Sequence, residues 1–160
     1  MAEAKREHRI RETIIANCGE GNTGKTSSIL MLYAKLRKAE GTDTQDILID
    51  EKKDICEVVK INNVLVGISS FGDTRQAVKE HMEDLKKNGC QIIVTACRNN
   101  HEMIKLLKDS AQGYRLMRTS NARLYEEGKG TTEIPADIID SFNKQWAEEI
   151  AKLIESWCNA

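Results

Sequence analysis

Apolar residues in this chain fall into short runs, and stretches with helical spacing lie between them. The first run, Thr13-Ile14-Ile15-Ala16-Asn17-Cys18, has strand composition and ends in a turn-forming stretch, Gly19-Glu20-Gly21-Asn22-Thr23-Gly24. From Lys25 the period changes: Ile29, Leu32 or Tyr33, and Leu36 recur at helical intervals, and Gly41 offers a C-terminal cap. Ile47-Leu48-Ile49 is a brief apolar run before an acidic patch, Asp50-Glu51-Lys52-Lys53-Asp54. Two further runs flank Asn62-Asn63, a pair suited to a two-residue hairpin turn, which predicts antiparallel strands over 55–61 and 63–69. The second of these is apolar nearly throughout, as in a strand covered on both faces.

A helix is predicted from Thr74 to about Asn88, with Val78, Met82 and Leu85 on one face and Gly89 closing it. Gln91 to Cys97 reads as another buried strand, followed by a helix near 101–111, a strand near 114–118 and a polar loop over 126–132. The last helix should open at Pro135, a residue favoured at a first helical position. Its stripe of Ile138, Phe142, Trp146, Ile150, Leu153 or Ile154, and Trp157 is the strongest amphipathic pattern in the chain.

Strands alternating with helices predict an α/β fold: a mostly parallel sheet between two helical layers, with the hairpin adding one antiparallel strand at an edge. At 160 residues the chain has the length of one domain, and no repeat or linker divides it. Residues 1–11 form a charged arm without an apolar signal core, so secretion is not expected. Charges nearly cancel, 24 Lys+Arg against 25 Asp+Glu, which gives no global field for nucleic acid or anionic membrane. The 5 cysteines (Cys18, Cys56, Cys90, Cys97, Cys158) form no CxxC pair, and three of them lie in apolar runs. Free thiols in a reducing cytoplasm fit that usage better than a disulfide scaffold or a zinc site.

The segment Gly19 to Thr26 reads GEGNTGKT, a full match to G-x-x-x-x-G-K-[ST]. With this motif between an apolar strand and a helix, the chain resembles the P-loop NTPases, whose three-layer α/β/α fold it would then share. Gly19 and Gly24 permit backbone angles at which successive N–H groups turn inward around phosphate oxygens. The following helix aims its positive N-terminus at the same anion. The resemblance implies that Gly19, Glu20, Gly21, Asn22, Thr23, Gly24, Lys25, Thr26 and Ser27 hold a triphosphate. Lys25 would reach the β- and γ-phosphates, and the Thr26 hydroxyl would ligate Mg²⁺.

The same resemblance asks for an acid at the end of a second strand. Asp73, after strand 63–69 in Ser69-Ser70-Phe71-Gly72-Asp73, is preferred to Asp50, on the reasoning that 63–69 runs beside the phosphate-loop strand. Ser69 or Ser70 stands where the family's usual acid would be, which is a departure. Some features are similar to small GTPases, but no D-x-x-G follows strand 63–69 and no N-K-x-D follows 91–97. ATP is therefore expected rather than GTP.

Arg98, at the end of strand 91–97, is placed to meet phosphate or an acceptor, while Asn99 or Asn100 could equally cap the next helix. Arg115, Arg118 and Arg123 precede the polar loop, either as a lid over a phosphoryl group or as a solvated face. His8, His81 and His101 lack metal-type spacing, and Trp146 with Trp157 reads as core rather than a stacking platform. The expectation is a small Mg-dependent ATPase, with phosphotransfer to a small molecule or nucleotide, or a slow nucleotide switch, as alternatives. A small-molecule acceptor or a protein partner is compatible with each, and specificity should lie in loops 40–54, 98–101 and 119–133.

Overall fold

A computed structural model describes residues 10–19, 25–39, 54–120, 125–126, 130–131 and 135–159. Strand β1 (Thr13–Gly19) is followed by helix α1 (Lys25–Ala39), the hairpin β2 (Cys56–Ile61) and β3 (Val64–Ser69), and helix α2 (Arg75–Lys87). Then come β4 (Ile92–Arg98), α3 (His101–Ser110), β5 (Arg115–Thr119), the short strands β6 (Tyr125–Glu126) and β7 (Gly130–Thr131), and the long helix α4 (Ala136–Cys158). Each expected strand and helix among the described residues is present within one or two residues of its predicted bounds. The apolar run 47–49 lies outside the described residues.

The main sheet has five strands in the order β2-β3-β4-β1-β5, with only β2 antiparallel to its neighbour. This is the α/β sheet the alternation predicts, with the hairpin strand at an edge. One relation differs from expectation: β4 stands between β1 and β3, so the 63–69 strand is not beside β1, which precedes the candidate phosphate loop. Pairing between distant strands is set by side-chain packing across the sheet, which local periodicity does not record.

Alternation along the strands separates two cores. Ile15, Val66, Ile68, Ile92 and Val94 pack under α1 and α4, with Leu32, Leu36, Ala147, Ile150 and Ile154. Ile14, Ala16, Ile93 and Cys97 pack on the other face, under α2 and α3, with Val78, Met82, Leu85, Met103 and Leu107. The hairpin turn holds both Asn62 and Asn63 at positive φ (47° and 65°), the condition for a two-residue type I′ connection. Pro135 caps α4 rather than opening it, and Ile138 is 40% exposed although it belongs to the predicted stripe. The buried face of α4 instead runs through Asn143, Trp146, Ala147, Ile150, Ala151, Ile154 and Cys158. Among the described residues, no helix is long and apolar enough to cross a membrane.

Candidate functional site

Parallel pairing brings the C-terminal ends of β1 and β4 side by side, in register up to Gly19 opposite Arg98. One residue further on, the Asn99 N–H donates to the Gly19 carbonyl (3.1 Å), so the two strands end at one level. Of the candidate phosphate loop, Gly19, Lys25, Thr26 and Ser27 are described; Glu20, Gly21, Asn22, Thr23 and Gly24 lie outside the described residues. The start of α1 is fixed by a buried polar bridge. Asn17 of β1 donates through Nδ2 to Ser28 Oγ (3.2 Å), and Ser28 Oγ donates to the Lys25 carbonyl (3.0 Å).

Lys25 is only 7% exposed, and its Nζ donates to the Gly19 carbonyl at 2.8 Å. Burial pushes this ammonium below its ordinary value because the charged form loses hydration. The Asp73 carboxylate opposes that shift, as do Cys97 and Cys18, while Arg98 adds to it. A buried ammonium thus stands where β1, an interior strand of the sheet, ends.

Asp73 reaches this end of the sheet by an unexpected route. It leaves β3, and the connection passes over the end of β4, where Gly72 lies flat on the backbone of Ala96. A Cβ on Gly72 would sit 2.7 Å from the Ala96 carbonyl carbon and 2.8 Å from its oxygen, closer than a side chain can come. Glycine is needed here for proximity and not for an unusual φ. The crossing sets Asp73 Oδ1 3.6 Å from Arg98 Nε, in a pair whose side chains are 70% and 47% exposed. Thr74 then caps α2, its side chain accepting from the Ala77 N–H (3.1 Å). Phe71 is braced from α2 by His81, with ring centroids 4.0 Å apart.

Both serines of this connection have structural tasks. Ser69 Oγ accepts from the Phe71 N–H (3.3 Å), and Ser70 Oγ accepts from the Ile55 N–H (2.8 Å) and donates to Asp54 (2.9 Å). Asp73 is the carboxylate of this segment that pairs with Arg98. Asp50 lies outside the described residues.

Cys18 and Cys97 face each other across β1 and β4 with their sulfurs 2.9 Å apart, directly under the Gly19–Arg98 pair. The hydrogen bond between them holds the Cys18 thiol below its usual value and the Cys97 thiol above it. Neither this pair nor Gly72 was singled out from the sequence. The pair needs the strand register to become visible, and a lone glycine in a loop carries no signal of what it touches.

The remaining candidates separate. Arg98 stands at the site, while Asn100 is taken up in capping α3, accepting from the Met103 N–H (2.9 Å). Arg115 is at the opposite end of the sheet, beside Thr13, with its guanidinium 5.1 Å from the Trp157 ring centroid. That position removes it from any lid over the C-terminal ends of β1 and β4. Arg118 is exposed on β5, and Arg123 lies outside the described residues. Trp146 is core, donating through Nε1 to Thr119 Oγ1 (2.9 Å).

Thr26 and Asp73 offer a hydroxyl and a carboxylate, hard oxygen donors that suit Mg²⁺. No cluster of three or more His, Cys, Asp or Glu gathers for a metal among the described residues. An ion here would complete its shell with phosphate oxygens and water, as Mg²⁺ commonly does. Comparison of the chain with family models, curated proteins and solved structures finds no match.

Proposed function

We propose that this chain is a P-loop protein of three-layer α/β/α architecture that binds a nucleoside triphosphate with Mg²⁺ and hydrolyses it, with ATP the base choice the motifs favour. The observation that carries the reading is Lys25: a lysine at the start of α1, buried at the end of β1 and held over the Gly19 carbonyl. When a triphosphate arrives, the ammonium exchanges that carbonyl for phosphate oxygens, and the N-terminus of α1 adds its own positive end. Thr26 and Asp73 would hold the metal, which supplies charge neutralisation at the β- and γ-phosphates. Arg98, paired with Asp73 at the same end of the sheet, would stabilise charge that develops as the γ-phosphoryl leaves. Water supplies the attacking oxygen, and the products are the diphosphate, inorganic phosphate and a proton.

Phosphotransfer is the second reading, and the β6–β7 ribbon favours it. In chain order the ribbon follows β5, whose C-terminal end lies at the same end of the sheet as that of β1. An arm there could cover a phosphoryl group and exclude water. The test of the common site is Lys25→Ala, which should abolish triphosphate binding in calorimetry while the far-ultraviolet spectrum stays unchanged. Unaltered affinity in that variant rejects the site. Phosphate release from labelled ATP without an acceptor then supports hydrolysis, and label appearing in a nucleoside or metabolite pool supports transfer.

A further inference from the structure

The last residues but one of β1 and β4 bring two thiols together at the end of the sheet that carries Lys25 and Arg98. Cys18 and Cys97 are direct partners in the parallel ladder, and their sulfurs lie 2.9 Å apart. Neighbouring strands stand about 4.8 Å apart, inside the range of about 4.4–6.8 Å that separates the Cα atoms of a disulfide. The two sulfurs are also within about 1 Å of the S–S bond length of about 2.0 Å, so closure asks for a small shift rather than a rearrangement. The register behind this approach is firm. β1 and β4 pair along their whole length, and the Asn99 N–H fastens to the Gly19 carbonyl just past the two cysteines.

The surroundings give the two thiols different tasks. Both belong to the core under α2 and α3, but Cys97 is fully covered whereas Cys18 keeps 7% exposure at the strand end. The hydrogen bond from Cys97 is the main influence favouring the Cys18 thiolate; burial opposes it, and Arg118 and Lys25 add positive charge in its favour. Cys18 is thus the attacking sulfur and Cys97 the resolving one. The other cysteines are placed differently. Burial pushes Cys90 and Cys158 up to about 11, and Cys158 lies in the opposite core. Cys56 stands on the edge strand β2, two strands away from β4.

We propose that Cys18 and Cys97 form a reversible dithiol–disulfide site whose oxidant is hydrogen peroxide or another small hydroperoxide. The Cys18 thiolate attacks one peroxide oxygen, the O–O bond breaks, and the departing hydroxide takes up a proton and leaves as water. Cys18 then carries a sulfenic acid. The Cys97 sulfur displaces its hydroxyl, the S–S bond forms, and that hydroxyl leaves with the Cys97 proton as a second water. Two electrons pass from the thiols to the peroxide. A small dithiol returns them by exchange and is itself oxidised to a disulfide. The link ties β1 to β4 one residue before Gly19 and Arg98, and it does not depend on Lys25 binding phosphate.

The test treats the full chain, dilute and reduced, with one equivalent of hydrogen peroxide. Remaining thiols are blocked in denaturant, and the chain is digested without reduction for mass spectrometry. The monomer should lose two hydrogens, with the Cys18 peptide linked to the Cys97 peptide and Cys56, Cys90 and Cys158 blocked as free thiols. Dithiothreitol should restore all five thiols. Cys97→Ala should stop at the Cys18 sulfenic acid, trapped by dimedone, and Cys18→Ala should lose the peroxide reaction at Cys97. A link between other cysteines or between chains, an unchanged mass, or Cys18 carried on to a sulfinic acid with Cys97 still free overturns the proposal. Peptide mapping of the unaltered chain decides this even where a variant fails to fold.

Discussion

Lys25 holds its charge against burial, and that sets a pH dependence with a definite sign. Its folded-state value lies below the ordinary 10.5, with loss of hydration the main cause and Asp73 the main opposing influence. Between the folded value and 10.5 the unfolded chain binds more protons, so this residue's contribution to stability rises with pH across that window. Ligand affinity runs the other way, because phosphate needs the ammonium. Triphosphate affinity should fall as pH rises through the lowered value, and Asp73→Asn should move that fall to still lower pH. A calorimetric titration across alkaline pH checks it; a limb that stays put would separate Asp73 from Lys25. Asp73→Asn should also remove Mg-dependent turnover while binding persists below the limb.

Gly72 shows what residue-level reading of a sequence omits. Its role depends on Ala96, a residue two elements away, and nothing local to Phe71-Gly72-Asp73 announces the contact. Gly72→Ala must push the connection off the end of β4. Overpacking of this kind costs about 1–3 kcal/mol, so urea denaturation should report a loss in that range. Asp73 would be displaced together with the loop, and turnover should fall further than stability alone explains.

At the scale of elements, the turn between β2 and β3 was legible because its chemistry is local. Two asparagines tolerate positive φ better than most residues, and both adopt it here. They nevertheless differ. Asn62 Nδ2 also donates to the Cys158 carbonyl (3.4 Å) and to the Asn159 side chain, fastening the hairpin to the end of α4. Asn63→Gly should leave stability unchanged or slightly raised, because glycine takes positive φ freely. Asn62→Gly should lose about 1 kcal/mol, the net worth of a typical hydrogen bond. Chemical denaturation of the two variants distinguishes turn conformation from the α4 tether. The strand order was not legible, since a run such as 92–98 reads as a buried strand in any central position. Nor was the exact face of α4. A stripe drawn through Ile138 and Phe142 differs from the buried one through Asn143 and Ala147 by about one residue, roughly 100° of rotation. Whether Asn143 or Ile138 is covered depends on how α1 packs beside it, and a hydropathy pattern weighs only the residue types.

For the whole molecule, the near-zero net charge leaves recognition to local fields. The positive ends of α1 and α2, Lys25 and Arg98 gather where β1 and β4 end, and Asp73 partly balances them. A ligand bound there contacts elements from both helical layers: α1, which packs in one core, and the β3–α2 connection, which borders the other. Binding should therefore stabilise the fold as a whole rather than one edge of it. At a free concentration of one hundred times Kd, a ligand specific to the native state contributes about 2.7 kcal/mol. For a chain of this size each kcal/mol moves Tm by about 2–4 °C, so Mg-nucleotide should raise Tm by about 5–11 °C. The shift should grow with the logarithm of ligand concentration and vanish in Lys25→Ala. A scanning-calorimetry series over nucleotide concentration measures both dependences. A shift that survives in Lys25→Ala would place the ligand elsewhere on the molecule.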